Sequence, residues 1–327
     1  MNMRSTLLSI LADGNFHSGD EMGAQLGVSR TAVWKCLRSL KGLGLELHAV
    51  RGRGYRLSRS IELLSQQRIE SSLSARAAAH LSELVIAEQL VSTNHSVMEL
   101  ARNGAPSGYV CFAEHQTAGR GRRGRTWQAA FASSICMSLL WRFRLGAESL
   151  VNLGLVVGVA MARAVRSLGA EDVKLKWPND IYWQDRKLGG VLLEMHGEAR
   201  EPCAIVVGVG LNVAMPESAA RKIDQPWVDL YEVLGCAVSR NDVAVAVLQE
   251  LLLAVACFQK GGATEFLDEW RAADCLLDRH VVLHVDESEV VGVARGIDIS
   301  GALLLERNGC VAPYSSGDVS LRLLPLA

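Results

Sequence analysis

No Cys-x-x-Cys pair occurs in this 327-residue chain, and no two of its eight cysteines stand closer than 18 positions. That spacing gives neither a zinc motif nor a disulfide framework, so the cysteines are expected as buried free thiols in a reducing compartment. Proline is scarce, at 7 residues, and 49% of the chain is hydrophobic, which excludes a disordered protein. Near the N-terminus the apolar run is broken by Asp13 and Asn15 and no small-residue cleavage site follows, so no signal peptide is read there. The longest apolar stretches read as too short for a membrane span. A cytoplasmic protein of two or three domains, with no membrane attachment, is the expectation. Charge of one sign is also missing, since the net charge is −1. Its distribution is uneven. Residues 1–59 carry nine Lys/Arg against four Asp/Glu, a net +5, which leaves 25 against 31, a net −6, for the rest. A basic end on a mildly acidic body points to a polyanion met by the first segment alone.

That segment reads as helices. Residues 3–12 have helical apolar spacing, and Ser18-Gly19-Asp20 reads as a turn and cap before a helix over 21–26. Gly27 closes it, and Ser29 caps a third helix to about Leu40 that buries Val33, Leu37 and Leu40. Two short helices joined by a tight glycine turn are the helix-turn-helix pattern. Arg30, Thr31, Lys35 and Arg38 then face outward for a major groove. A hairpin wing over 45–57, with Arg51 and Arg53 at its tip, is placed to hold phosphates. The other use of such a winged helix is as a protein-contact module. Residues 60–91 read as a helical connection, serine-rich over 60–74 and helix-prone over 75–84, with a domain boundary near Leu63.

Residues 119–125 hold four arginines and three glycines, and Trp127 follows. Glycine lets backbone N–H groups approach a ligand, arginine binds carboxylate or phosphate, and tryptophan offers a face to a base. The stretch occurs once, between apolar strand-like runs, unlike the repetitive arginine-glycine tails of RNA-binding proteins. It reads as a loop over an anionic, nucleotide-like ligand; the plainer reading is a solvated basic loop. Around it, strands are expected over 85–91, 109–116, 133–141, 173–177, 181–183, 187–194 and 204–211. Helices are expected over 96–103, with Ser96 and Glu99 as a capping box, over 151–168, from a cap at Asn241 to Lys260, and over 264–273. Ser92, Thr93 and Asn94 alone read as helix-entry chemistry. Gly154 and Gly158 are expected to permit close packing. From Arg279 the pattern turns to five short strands separated by turns such as Asp286-Glu287 and Ser300-Gly301, a small β-barrel. His280 and His284 lie about 13 Å apart on one strand face, too far for one metal.

The order Ser92-Thr93-Asn94, Gln116, the Gly-Arg loop with Trp127, Lys176-Trp177-Pro178-Asn179-Asp180, Lys187-Leu188-Gly189-Gly190 and Gly210-Leu211-Asn212 closely resembles biotin protein ligases. With the helix-turn-helix in front, the chain resembles the bifunctional bacterial class, which also represses the biotin operon, over essentially its whole length. Thr126 departs from the family's frequent lysine and Gly189 from its common alanine, and neither disturbs a charged contact. The resemblance implies an α+β multidomain chain: a winged helix-turn-helix over 1–63, a mixed-sheet α/β ligase domain over 64–274 and an SH3-like barrel over 275–327. It implies that biotin and ATP, with Mg2+, form biotinyl-5'-adenylate. A lysine of the biotin carboxyl carrier protein of acetyl-CoA carboxylase then takes the biotin. It also implies an adenylate-bound homodimer on operator DNA. By resemblance, Ser92, Thr93, Asn94, Gln116 and Gly190 meet biotin. Arg120, Gly121, Arg122 and Arg125 hold carboxylate and phosphates, and Trp127 stacks on adenine. Lys187 bridges carboxylate and α-phosphate, Lys176 and Asn179 lie by the nucleotide, and Asp180 and Asn212 serve magnesium or ribose. Ser29 joins the outward residues of the recognition helix. The alternatives are a lipoate ligase, and a biotin-sensing repressor with weak or lost catalysis.

Overall fold

The computed structural model describes residues 3–143, 150–196, 203–285, 288–315 and 319–323. The N-terminal unit packs α1 (Met3–Leu11), α2 (Gly19–Leu26) and α3 (Arg30–Leu40) around Leu7, Leu8, Leu11, Met22, Val33, Leu37 and Leu40. Local chemistry sets its ends. Ser18 and Glu21 form a reciprocal capping box, and Gly27 ends α2 at φ 65°. Strands β1 (Leu47–Val50) and β2 (Gly54–Leu57) form the wing, and His17 pairs with Tyr55 as a third rung. Gly54 sits at φ 100°, and a Cβ there would overlap the His17 backbone, so the wing closes only on glycine.

The central unit begins with α4 (Gln66–Ser72) and α5 (Ala75–Ala78), and continues with β3 (Glu83–Ala87), α6 (Thr93–Arg102), β4 (Tyr109–Ala113), β5 (Ser134–Phe143) and α7 (Leu153–Ser167). Next come β6 (Lys174–Lys176), β7 (Asp180–Trp183), β8 (Arg186–His196), β9 (Cys203–Asn212), α8 (Glu217–Ala220), α9 (Leu230–Leu234), α10 (Arg240–Gly261) and α11 (Thr264–Ala273). The seven strands form one sheet in the order β3-β4-β5-β9-β8-β7-β6, mixed because β3 and β4 run parallel and every other pair antiparallel. α7 and α10 pack together on one side of it, with Val156, Val157, Leu248, Leu251 and Leu252 fully buried. At the end of the chain, β10 (His280–Val285), β11 (Ser288–Ile297), β12 (Leu303–Arg307), β13 (Cys310–Tyr314) and β14 (Val319–Leu323) form an antiparallel sheet, ordered β13-β12-β11-β10-β14. The turn expected at Asp286-Glu287 lies outside the described residues.

Buried polar chemistry ties the units together. Arg240 and Glu114, 3% and 6% exposed, meet at 2.7 Å inside the seam, where Glu114 also accepts from Leu64 N at 2.5 Å. Phe131 and Ala132, from the segment before β5, join the apolar core of the N-terminal unit. Arg59 fixes that contact by donating to Phe131 O at 3.0 Å and Ala214 O at 3.3 Å. The C-terminal sheet docks through Trp177 Nε1 on Gly301 O at 3.0 Å and Arg279 on Asp185 at 2.6 Å.

Several sequence expectations are corrected. Ser96 and Glu99 form no capping box: the N-cap of α6 is Ser92, and Glu99 instead accepts from Arg102. Likewise Ser239, not Asn241, caps α10, because Asn241 is buried and its amide is spent on Glu62, Leu63 and Ser65. The helix expected over 75–84 ends at Ala78, since Leu84 is drawn into the sheet core beside Val110. A Cβ on Gly154 or Gly158 would meet nothing closer than 3.6 Å, so glycine is not required there for packing. By length and composition α10 does reach a membrane span, but Leu248, Leu251, Leu252 and Val255 bury it in the core. Cys236 and Cys310 are exposed rather than buried.

Candidate functional site

The site is built on one face of the central sheet, where Ser138 of β5 lies beside Gly208 of β9, and Gly210 of β9 beside Gly190 of β8. Ser92, Thr93 and Asn94 are buried at the start of α6, and the Ser92 side chain makes no capping bond, so helix entry does not account for it. Thr93 donates from N and Oγ1 to Gln116 Oε1 at 2.8 and 3.2 Å. Ser138, on β5, places its hydroxyl 2.7 Å from Thr93 Oγ1 and 2.5 Å from Asn94 Oδ1. Asn94 Nδ2 donates to Glu194 Oε2 at 2.8 Å and Leu192 O at 3.3 Å. Its amide is therefore engaged at both ends and packs onto Gly208, where a Cβ would overlap it. The result is a rigid neutral floor of hydroxyls and amides.

Glu194 joins this floor to the arginine-glycine loop, since its Oε2 also accepts from Arg120 Nη2 at 3.0 Å. The loop folds on itself: Trp127 N donates to Gly119 O at 2.9 Å and Gly121 N to Arg125 O at 2.7 Å. Arg123 and Gly124 turn it with φ 55° and 73°. Arg122 Nη1 reaches Asn179 Oδ1 at 3.4 Å, while Asn179 Nδ2 is anchored on Val191 O at 2.5 Å. Arg125 is exposed.

Asn179 leads into Asp180, which pairs with Lys187 at 2.7 Å, both side chains largely buried. The β7–β8 register sets Gly190 opposite Asp180, and a Cβ there would crowd the Asp180 carboxylate at 3.0 Å and the Lys187 stem at 3.3 Å. Gly190 is thus the space in which this ion pair forms. Trp127 lies on Gly210, where a Cβ would come within 2.6 Å of its ring, and Lys187 Nζ stands 6.0 Å from its centroid. Lys176 donates to the Tyr182 hydroxyl at 3.0 Å, and its ammonium stands over that ring. Burial pulls the Lys176 pKa down, against the pull of Asp180, and pushes the Tyr182 phenol up. At this site the buried side-chain atoms Asn212 Oδ1 and Trp127 Nε1 have no hydrogen-bond partner. Such orphans are costly unless a ligand satisfies them.

Hydrogen bonds and ion pairs link Thr93, Asn94, Gln116 and Arg120 in one group and Arg122 with Asn179 and Lys187 with Asp180 beside it, while Asn212 donates to Val228 O at 3.1 Å. The expected DNA-facing residues gather elsewhere. Ser29, Arg30, Thr31, Lys35, Arg38, Arg51 and Arg53 are all exposed on α3 or the wing tip. The Ser29 hydroxyl is spent as a cap, accepting from Ala32 N at 3.3 Å, and Arg30 pairs with Asp20 at 3.4 Å. Among the described residues no group of three His, Cys, Asp or Glu is placed to hold a metal.

Sequence reasoning missed Ser138, Glu194 and Gly208. Ser138 carried a signal, as a hydroxyl in the otherwise apolar run Cys-Met-Ser-Leu-Leu. Gly208 and Gly210 carried another: alternate glycines on one strand face make room for side chains crossing it. Glu194 carried none, because its partners lie 100 and 74 positions away.

The Biotin/lipoate A/B protein ligase family matches residues 86–212, an HTH domain residues 4–56, and the Biotin protein ligase C terminal domain residues 276–322. The Bifunctional ligase/repressor BirA of Salmonella typhimurium is 40% identical over 318 residues, covering 97% of both chains. That of Bacillus subtilis is 32% identical over 333 residues, covering 98% of this chain and all of its own. Among solved structures, the biotin protein ligase from Aquifex aeolicus in complex with biotin and ATP aligns with a TM-score of 0.64 at 27% identity, over 75% of this chain and 100% of that one. With a winged helix, a ligase sheet and a C-terminal antiparallel sheet in the same order, the chain belongs to the family of bifunctional biotin ligase/repressors.

Proposed function

We propose that the central unit condenses biotin with ATP into biotinyl-5'-adenylate and passes the biotin to a lysine of a biotin carboxyl carrier domain of acetyl-CoA carboxylase. The N-terminal unit, bound as an adenylate-loaded homodimer, represses from operator DNA in the cytoplasm. What carries the reading is one continuous surface, on which a rigid neutral floor at Thr93, Gln116 and Ser138 meets the cations Arg120, Arg122 and Lys187 through Glu194 and Asn179. The floor suits a ureido group and the cations suit a carboxylate beside a phosphate. The proposed division is a DNA-binding unit over 1–63, a ligase unit over 64–274 and a C-terminal unit over 275–327. It is supported by the change of apolar core between Leu63 and Leu64, the first core taking only Phe131 and Ala132 from the ligase unit.

The chemistry needs no protein nucleophile, because biotin's carboxylate attacks the α-phosphate and pyrophosphate leaves. The chain's part is positioning and charge neutralisation. Ser92, Thr93 and Gln116 hold the ureido head directly. Asn94, whose amide is already engaged, holds the floor in shape, and Gly190 leaves space for Lys187. Lys187 exchanges Asp180 for the carboxylate and α-phosphate oxygens. Arg120, Arg122 and Arg125, with the Gly121 backbone, close over the adenylate and exclude water. Trp127 packs on adenine, Asn212 Oδ1 accepts from the ribose, and Lys176 and Asn179 face the phosphates. Of the two described carboxylates at the site, Glu194 is engaged by Asn94 and Arg120, which leaves Asp180 for magnesium. That fits an ion held mainly by phosphate and water, which would screen the phosphate charge.

Pyrophosphate exchange into ATP tests the ligase reading, run with biotin, with lipoate or octanoate, and with no acid. Exchange with biotin alone is expected. Exchange with lipoate moves the activity to the sister reaction, and no exchange leaves a sensor without catalysis.

A further inference from the structure

We propose that Trp34 is a base-reading residue of the N-terminal unit and that it recognises a thymine through its C5-methyl group. The proposal rests on the DNA-binding reading and extends it to the sequence that is read. Helix α3 buries Val33, Cys36, Leu37 and Leu40. The opposite face, at helical spacing, carries Arg30, Thr31, Trp34, Lys35 and Arg38, all exposed. Trp34 stands at the centre of that face. It is 43% exposed, and it is the one exposed tryptophan of the chain's seven. Packing does not explain it, because it points away from the core that α3 shares with α1 and α2.

The surroundings select the partner. The Arg38 guanidinium lies over the indole, 4.8 Å from its centroid, so a cation and an apolar ring are presented as one unit. Lys35 flanks them, and the wing brings Arg51 and Arg53, in a segment of net charge +5. An apolar ring in a cationic setting complements a surface that is anionic at its rim and carries isolated apolar groups inside. The major groove of duplex DNA is such a surface, and the thymine methyl is its apolar feature. The N-terminal half of a recognition helix, where Trp34 lies, is the part that reaches base edges. Phosphate contacts by Arg51 and Arg53 position the domain without reading sequence, so discrimination falls to the centre of α3.

The test uses the full-length protein with biotin and ATP. Duplexes are first enriched from a random-sequence pool. The enriched duplex is then remade with deoxyuridine in place of thymidine at one position at a time, which removes only the methyl group. For the wild type, one position in each half-site is expected to lose about fourfold in affinity, the discrimination given by burying one methyl group. Trp34→Ala is expected to bind the parent duplex more weakly and to lose that sensitivity, while pyrophosphate exchange stays at the wild-type rate and amide hydrogen exchange over α1–α3 is unchanged, so that both the ligase unit and the N-terminal fold are intact. The proposal is overturned if the wild type tolerates deoxyuridine everywhere, or if Trp34→Ala keeps the same sensitive position. It is overturned also if Trp34→Ala alters self-association in sedimentation and leaves the sensitivity in place, which would make the ring a protein contact. If the wild type enriches no duplex, the DNA-binding reading falls first and this proposal with it.

Discussion

On α3 and the wing, three arginines lie over aromatic rings, Arg38 over Trp34 and Arg53 and Arg56 over Phe16, while Arg30 pairs with an acid, Asp20. In the ligase site they are held by acids and amides, with Arg120 on Glu194 and Arg122 on Asn179, beside Lys187 on Asp180. A stacked guanidinium keeps its N–H donors available for whatever docks. Its charge is exposed and screened by salt. A cation tied to an acid in a half-buried site is already aimed, and removing it leaves the acid stranded. The two regions look alike in composition and differ in what neutralises the charge. One is fitted to a long polyanion met transiently. The other is fitted to a small ligand gripped at fixed points.

The largest effect is expected at the seam that holds both regions in one molecule. Arg240→Ala strands the buried Glu114 carboxylate, and the urea midpoint should report a loss of about 3–5 kcal/mol. A loss well under 1 kcal/mol would mean that water reaches the pair. Within the ligase site, Lys187→Ala should slow single-turnover adenylate formation by about 10²–10³-fold, the usual cost of a lost charge-stabilising donor. The same measurement on Lys35→Ala should show no change. Near-normal turnover in Lys187→Ala would remove the contrast between aimed and available cations.

A smaller, pH-dependent effect is expected at Asp274, beside β6. Its Oδ2 is buried without a partner, and burial raises its pKa from 3.8 to about 6. The folded carboxyl then holds its proton more tightly than the unfolded one. Stability from this group is present below pH 4 and lost as pH rises through 6, a cost of about 2–3 kcal/mol at most above that range. Asp274→Asn should therefore gain on the wild type between pH 4 and 7 in thermal melts; a constant difference across that range would argue against a buried acid. The smallest effect sharpens the other side of the comparison. Lys35→Ala should lower the salt dependence of duplex binding by about one unit of slope, with little change in base preference. An altered base preference with an unchanged slope would make Lys35 a reader rather than a phosphate contact.

The N-terminal unit was legible in the sequence almost element by element. Its helices are closed by local chemistry, such as Ser18 with Glu21, Gly27 at positive φ, and Ser29 on Ala32, and its stripe of Val33, Leu37 and Leu40 is periodic. The site's charged residues were legible as a set because motif order carried them. Their partners were not. Ser138, Glu194 and Gly208 enter the site only when β5, β9 and β8 lie side by side.

By itself, then, the sequence determined the order of units, most helix and strand positions, and which cations face a ligand, because caps, turns and periodicity act over a few residues. Tertiary structure alone decided which side chains those cations meet. It drew Ser92 rather than Ser96 into the α6 cap, spent Asn241 on the linker, and seated Phe131 in the core of the winged helix. Burial set each of those outcomes, and for Asn241 and Phe131 so did hydrogen-bond partners far away in the chain. No local pattern encodes them, because a buried polar group takes whichever partner the packed sheet brings within reach.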